Sequence, residues 1–185
     1  MRRLVAVPLW SLTIGAVFAA GLVLTDIALL KRTHVLALTA QRLSDSLRPP
    51  VGVPFPNLHG STPSGGRIDF DPSRLSRKEL VFALSSTCAA CETNWPAWER
   101  LASMDKAHTL FIDLPGTATE EYLRKHHLTS DVVLSGLDPK WQIALNIRAT
   151  PTTVIVDKHG RVGASWTGVL TKADETEVSR ELGAN

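Results

Sequence analysis

Two cysteines, Cys88 and Cys91, are the only thiols in this chain of 185 residues, and they stand three positions apart. A structural disulfide framework would spread its cysteines along the chain. A bridge closing so short a loop gains only about 2 kcal/mol in the chain-entropy account, a poor staple for a domain of this size. The pair Cys88-Ala-Ala-Cys91 therefore reads as chemistry, namely thiol–disulfide exchange, in which a thiolate attacks a disulfide sulfur. The same sulfurs could be half of a zinc site, which needs two more ligands at suitable spacing. No second such pair exists, and His108, His126, His127 and His159 could join the cysteines only by folding. Two unreactive buried cysteines are the remaining reading.

The elements around the pair decide how reactive it is. Leu80-Val81-Phe82-Ala83-Leu84 is an apolar run with the length of a buried strand. A helix is expected to start just after it, capped by Ser86 or Thr87, with Cys91, Trp95, Trp98 and Leu101 on one side. Pro96 lies inside that helix and removes one backbone hydrogen bond, which should kink it. A helix N-terminus presents free N–H groups and partial positive charge, which lowers the pKa of a cysteine placed there. Cys88 is thus the expected nucleophile, and Cys91, one turn further in, the resolving thiol. Glu92 reads as an exposed helical acid, with proton transfer to Cys91 as its alternative. Trp95 and Trp98 read as packing residues, and His126 and His127 as a solvated helix end.

Further along, His108–Leu114 reads as a strand, Thr119–His127 as a helix capped by Thr117 or Thr119, and Asp131–Leu134 as a short strand. Pro139 opens a helix to about Leu145. Thr152–Val156 is a β-branched strand that turns at Lys158-His159-Gly160 and returns as Val162–Trp166. Thr171–Leu182 closes the chain as an amphipathic helix. Strands alternating with helices, then a hairpin and a last helix, give the α/β class: a mixed central sheet flanked by helices.

The N-terminus is of another kind. Leu4–Leu24 carries no charged side chain and spans about 31 Å as a helix, enough for a bilayer core. It reads as an uncleaved transmembrane anchor, with a cleaved signal peptide as the alternative; both export the rest. Arg2 and Arg3 on one side and Lys31 and Arg32 on the other leave the orientation open. Residues 1–30 are assigned to the anchor and 31–50 to a juxtamembrane helix or stalk ended by Pro49 and Pro50, with dimerisation as a sharper role. Residues 51–185 form the domain, beginning with a Pro- and Gly-rich linker or irregular lead-in over Val51–Gly66. A formal charge of +2 with basic residues scattered among acids gives nucleic-acid binding no support.

From about Val51 onward the chain resembles the thioredoxin superfamily, specifically the TlpA-like branch of bacterial membrane-anchored thiol-disulfide oxidoreductases, with MauD-type proteins nearby. The strand LVFAL followed by STCAAC, Pro96 eight residues after Cys88, and the stretch RATPTTVIVDKHGRV carry the resemblance. The resemblance implies a thioredoxin fold, a cis-proline at Pro151 beside the cysteines, and a Thr150 backbone that pairs with the bound substrate chain. Gly168 stands where such proteins have a glycine. Thr87 replaces the Trp that many members have before the first cysteine, and its hydroxyl is expected near the thiolate and the substrate. Implied partners are exported proteins with disulfides or thiols and an upstream membrane thiol donor. The redox centre is the Cys88–Cys91 disulfide itself, without another cofactor. Implied placement is the bacterial cytoplasmic membrane, single-pass, with the domain facing the periplasm or cell exterior. The resemblance favours a reductant, with cytochrome c or other redox-enzyme maturation as tasks. A membrane-anchored chaperone holding a soft metal on the two thiols is the competing function.

Overall fold

The computed structural model describes residues 29–36, 39, 46–104, 109–129 and 132–183. The chain divides into two compact units, Met1–Leu43 and Ser44–Asn185. In the first, residues 29–36 are helical and exposed. The expected membrane segment Leu4–Leu24 lies outside the described residues, among which no helix is long and apolar enough to cross a membrane.

The second unit is built on a five-stranded sheet in the order β5-β4-β3-β6-β7. Its strands are β3 (Glu79–Leu84), β4 (Thr109–Asp113), β5 (Val133–Leu134), β6 (Thr152–Val156) and β7 (Val162–Thr167). β3, β4 and β5 run parallel, whereas β6 and β7 run antiparallel to their neighbours. The central strand β3 is buried along its whole length, as an apolar run without alternation demands. Its side chains divide with the period of two. Leu80, Phe82 and Leu84 enter one core with Trp95, Trp98 and Leu101 of helix α1 (Ala89–Met104), while Val81 and Ala83 enter another on the opposite face.

The first core also takes Tyr122 and Leu123 of α2 (Glu120–Lys125) and Val178 of α4 (Lys172–Gly183). The second takes Trp141 of α3 (Lys140–Ala144). Helices therefore cover both faces, as the alternation of elements predicts. Thr119 caps α2 by accepting from the Tyr122 amide at 3.2 Å. The hairpin β6–β7 turns at Gly160, with φ +71°, where a Cβ would meet the Pro72 carbonyl at 3.0 Å. Expected and observed elements agree, with ends trimmed by one or two residues; His108 and Asp131 lie outside the described residues.

One expectation is corrected. The stretch Val51–Gly66 is not merely a linker, because β1 (Leu58–Ser61) pairs antiparallel with β2 (Arg67–Phe70) as a separate hairpin. Leu58 is buried, and Phe55 meets Phe70 edge-on at 5.7 Å. The Pro and Gly residues that looked like linker make the turn, where the Thr62 hydroxyl accepts from the Gly66 amide at 2.8 Å. Upstream, the chain from Ser46 is tied to the same unit. Asn146, Thr167 and Ser165 side chains donate to the carbonyls of Ser46, Leu47 and Pro49 at 2.9, 3.3 and 2.7 Å.

Candidate functional site

The site forms where β3 ends and α1 begins. After Leu84 the chain turns through Ser85–Thr87, and the Cys88 amide donates to the Ser85 carbonyl at 3.1 Å. Helix α1 starts at Ala89, so Cys88 itself holds the capping position. Its sulfur accepts from the Cys91 amide at 3.1 Å, the bond that a Ser or Asp oxygen makes at an N-cap. This corrects the expectation of a Ser86 or Thr87 cap. The physical reason is that the thiol needs the first free amides of the helix more than a neutral hydroxyl does. Thr87 is exposed, and its hydroxyl lies 3.1 Å from Ser85 Oγ rather than on the sulfur.

The two thiols differ sharply in surroundings. Both are free cysteines, with Cys88 part-exposed and Cys91 fully buried. Partial burial works against the Cys88 thiolate, but hydrogen bonding from Cys91 and Thr150 and from the Cys91 and Ala90 amides outweighs it, so its pKa lies below the ordinary thiol value. Burial pushes the Cys91 thiol up to about 12, and the Cys88 thiolate beside it adds to the rise. One thiol is thus prepared to attack from the surface, and the other is held as a thiol beneath it.

Pro151 completes the wall. The Thr150–Pro151 bond is cis, as the resemblance implies, and Cys88 Sγ lies 3.6 Å from the Thr150 carbonyl oxygen. The loop is held from behind by the Gly168 amide, which donates to the Pro151 carbonyl at 2.8 Å. Gly168 takes φ +99°, a backbone that favours glycine. Cys88, Cys91, Thr150 and Pro151 therefore converge, with Thr87 at the rim.

The tryptophans are packing residues. Trp98 is fully buried, and its indole N–H donates to Thr153 Oγ1 at 2.9 Å, joining α1 to β6. Trp95 stacks on Phe111 at 5.7 Å. Here a second correction arises: His126 is not a solvated helix end but is 6% exposed, its ring 3.9 Å from Trp95. Its Nε2 lies 3.0 Å from Glu92, which also pairs with Lys125 at 2.6 Å. Partial burial alone would raise the Glu92 pKa, but Lys125 and His126 hold it below the usual carboxylate range. Glu92 is thus an ion-pair residue that ties the first turn of α1 to α2.

Sequence reasoning missed Asp113. It ends β4, is 1% exposed, and accepts from the Ala118 amide through Oδ2 at 2.6 Å. Burial raises its pKa, opposed by the Ala118, Thr117 and Ser86 amides that face it. Oδ1 has no hydrogen-bond partner among the described residues. The available signal was an acid closing the apolar run Leu110-Phe111-Ile112 before Pro115-Gly116. Among the described residues no three His, Cys, Asp or Glu side chains stand together as a metal set.

No family model and no curated protein matches the sequence. Solved structures do. A thioredoxin-family thiol:disulfide interchange protein from Chlorobium tepidum matches with TM-score 0.56 at 21% identity, over 74% of this chain and 98% of its own. A DsbF homologue from Corynebacterium diphtheriae matches with TM-score 0.58 at 17% identity, over 70% of this chain and 87% of its own. StoA from Bacillus subtilis matches with TM-score 0.53 at 16% identity, over 69% and 98%. These neighbours are thioredoxin-like thiol:disulfide oxidoreductases and interchange proteins. A capping, part-exposed thiol over a buried one, walled by a cis-proline on a β5-β4-β3-β6-β7 sheet, agrees with that likeness, and the chain has the thioredoxin fold.

Proposed function

We propose that this protein is a thiol–disulfide oxidoreductase acting on exported partner proteins. The Cys88 thiolate attacks a partner's disulfide; one partner sulfur becomes bonded to Cys88 Sγ, and the other leaves with the bonding pair and takes a proton. Cys91 then gives up its proton and attacks Cys88 Sγ, releasing the second partner sulfur. The partner gains two electrons and two protons, and the chain is left with a Cys88–Cys91 disulfide. An upstream thiol donor at the membrane returns the pair to its reduced state. In the opposite direction the same steps would oxidise a partner dithiol.

The observation that carries this reading is the division of labour at the helix start: Cys88 Sγ accepts the Cys91 amide, while Cys91 itself is buried with its thiol pushed up to about 12. The Thr150 carbonyl, 3.6 Å from Cys88 Sγ, and the Thr150 amide lie where an extended partner backbone could pair. Thr87, exposed beside them, would touch that partner. The names of the structural neighbours, thiol:disulfide interchange proteins, support the same chemistry.

Finer assignments belong to the same proposal. Leu4–Leu24 tethers the chain to a bacterial cytoplasmic membrane with the domain facing the periplasm or exterior, and its task is reduction in cytochrome c or related redox-enzyme maturation. Cys91→Ser should accumulate a mixed disulfide through Cys88, and the wild type should reduce insulin disulfides. A chain that does neither is not an oxidoreductase.

A further inference from the structure

The turn that carries Cys88 is held from an unexpected direction. Two loops leave the C-terminal ends of neighbouring parallel strands: Ser85–Thr87 after β3, and Leu114–Ala118 after β4. They are joined three times. The Leu114 amide donates to the Leu84 carbonyl at 3.0 Å, which continues the sheet one step beyond its strands. Ser86 Oγ and Thr117 Oγ1 lie 2.8 Å apart. Between them sits the Asp113 carboxylate, taking the Ala118 amide at 2.6 Å and faced by the Thr117 and Ser86 amides. The second loop is itself rigid. The Gly116 amide closes a turn on the Asp113 carbonyl at 3.2 Å, and Gly116 takes φ +67°.

Burying a carboxylate costs free energy unless hydrogen bonds compensate it, and here one oxygen has no hydrogen-bond partner among the described residues. A side chain whose own placement is costly is a poor device for general stability. Its position, two residues in sequence from the cysteine through the Ser86 amide, points to a local task. The Ser85 carbonyl receives the Cys88 amide, so displacement of Ser85–Ser86 swings Cys88 out of the capping position. The N–H groups that stabilise a thiolate act only at hydrogen-bond range.

We propose that Asp113 is a positioning residue for Cys88: it anchors the Ser85–Thr87 turn to the Leu114–Ala118 loop and so keeps the attacking sulfur over the first amides of α1. Its relevance to catalysis rests on the thiol–disulfide reading, but the positioning itself does not. The role is geometric, so an uncharged acceptor of the same shape should serve, whereas removal of the side chain should not.

The test uses the full chain, reduced, and the pH dependence of Cys88 alkylation by iodoacetamide. Asp113→Ala should raise the midpoint pH and slow alkylation at pH 7 about tenfold, the loss that one unit of thiol pKa produces. Asp113→Asn should stay close to wild type. Thr117→Val, which removes only the hydroxyl link to Ser86, should move the midpoint in the same direction as Asp113→Ala, and it decides the matter if Asp113→Ala does not fold. Thermal unfolding is recorded alongside. Variants that melt lower but keep the wild-type midpoint would overturn the proposal, because Asp113 would then be a stability residue only. A midpoint that falls in Asp113→Asn would overturn it too, because the carboxylate would be acting by its charge. A wild type with no depressed midpoint at all would instead count against the oxidoreductase reading.

Discussion

Reduced protein treated with limiting iodoacetamide at pH 7 should be modified at Cys88 and almost not at all at Cys91. With its thiol at about 12, Cys91 is ionised in about one molecule in 10⁵ at that pH. Cys88 lies below the ordinary value of 9.0, so at least about 1% of it is thiolate. The ratio of thiolates is therefore at least about 10³. A more basic thiolate is intrinsically the better nucleophile, with a Brønsted slope of about 0.4–0.5. Over three units that returns about 15- to 30-fold to Cys91, which leaves Cys88 ahead by at least about 30-fold. Access widens the gap, because Cys91 is 0% exposed. Timed alkylation, acid quench and peptide mapping by mass spectrometry measure both rates in one sample. Labelling of Cys91 within threefold of the Cys88 rate in the folded protein would refute the reasoning, and equal rates in urea are its internal control.

Three further outcomes follow from the same packing. Asn94 is buried and accepts the Leu170 amide at 2.7 Å, so Asn94→Ala should cost about 1–3 kcal/mol in denaturant unfolding by orphaning that donor; no change would mean another acceptor reaches it. Trp98→Phe loses the indole bond to Thr153 at 2.9 Å together with ring volume, and should cost about 2–4 kcal/mol in the same assay. Glu92 opposes its partial burial by pairing with Lys125 and His126, which depresses its pKa below 4.5. Its contribution is therefore present above pH 4.5 and lost as pH falls through the lower folded value. The Glu92 side chain is 36% exposed, so solvent screening limits the effect to about 0.5–1 kcal/mol. Glu92→Gln should melt lower than wild type at pH 7, with the gap closing in acid; a gap constant with pH would show that the ion pairs do not contribute.

Much of this was legible before any coordinates. The strand Leu80–Leu84 had to be central because all its residues are apolar, and the β-branched run Thr152–Val156 had to be a strand because little else suits it. Cys88 and Cys91 could be assigned their roles from the helix start alone. What stayed hidden were features made by contacts distant in sequence. His126 looks like a solvated helix end until Trp95, some thirty positions away, covers it. Asp113 looks like the polar end of a strand until the loops after β3 and β4 close around it. The hairpin β1–β2 consists of two four-residue strands split by Pro, Ser and Gly, too short for periodicity to speak. The cap was misread because sulfur is a weak acceptor until it is ionised, and nothing local says that Cys88 is.

Equilibration of the protein with reduced and oxidised glutathione, quenched in acid and resolved by mass, tests the core of the account most directly. The paired sulfurs predict a Cys88–glutathione adduct that appears only transiently and gives way to a Cys88–Cys91 disulfide, reversibly and with two electrons. A glutathione adduct that persists on Cys88 while Cys91 stays a free thiol would contradict it.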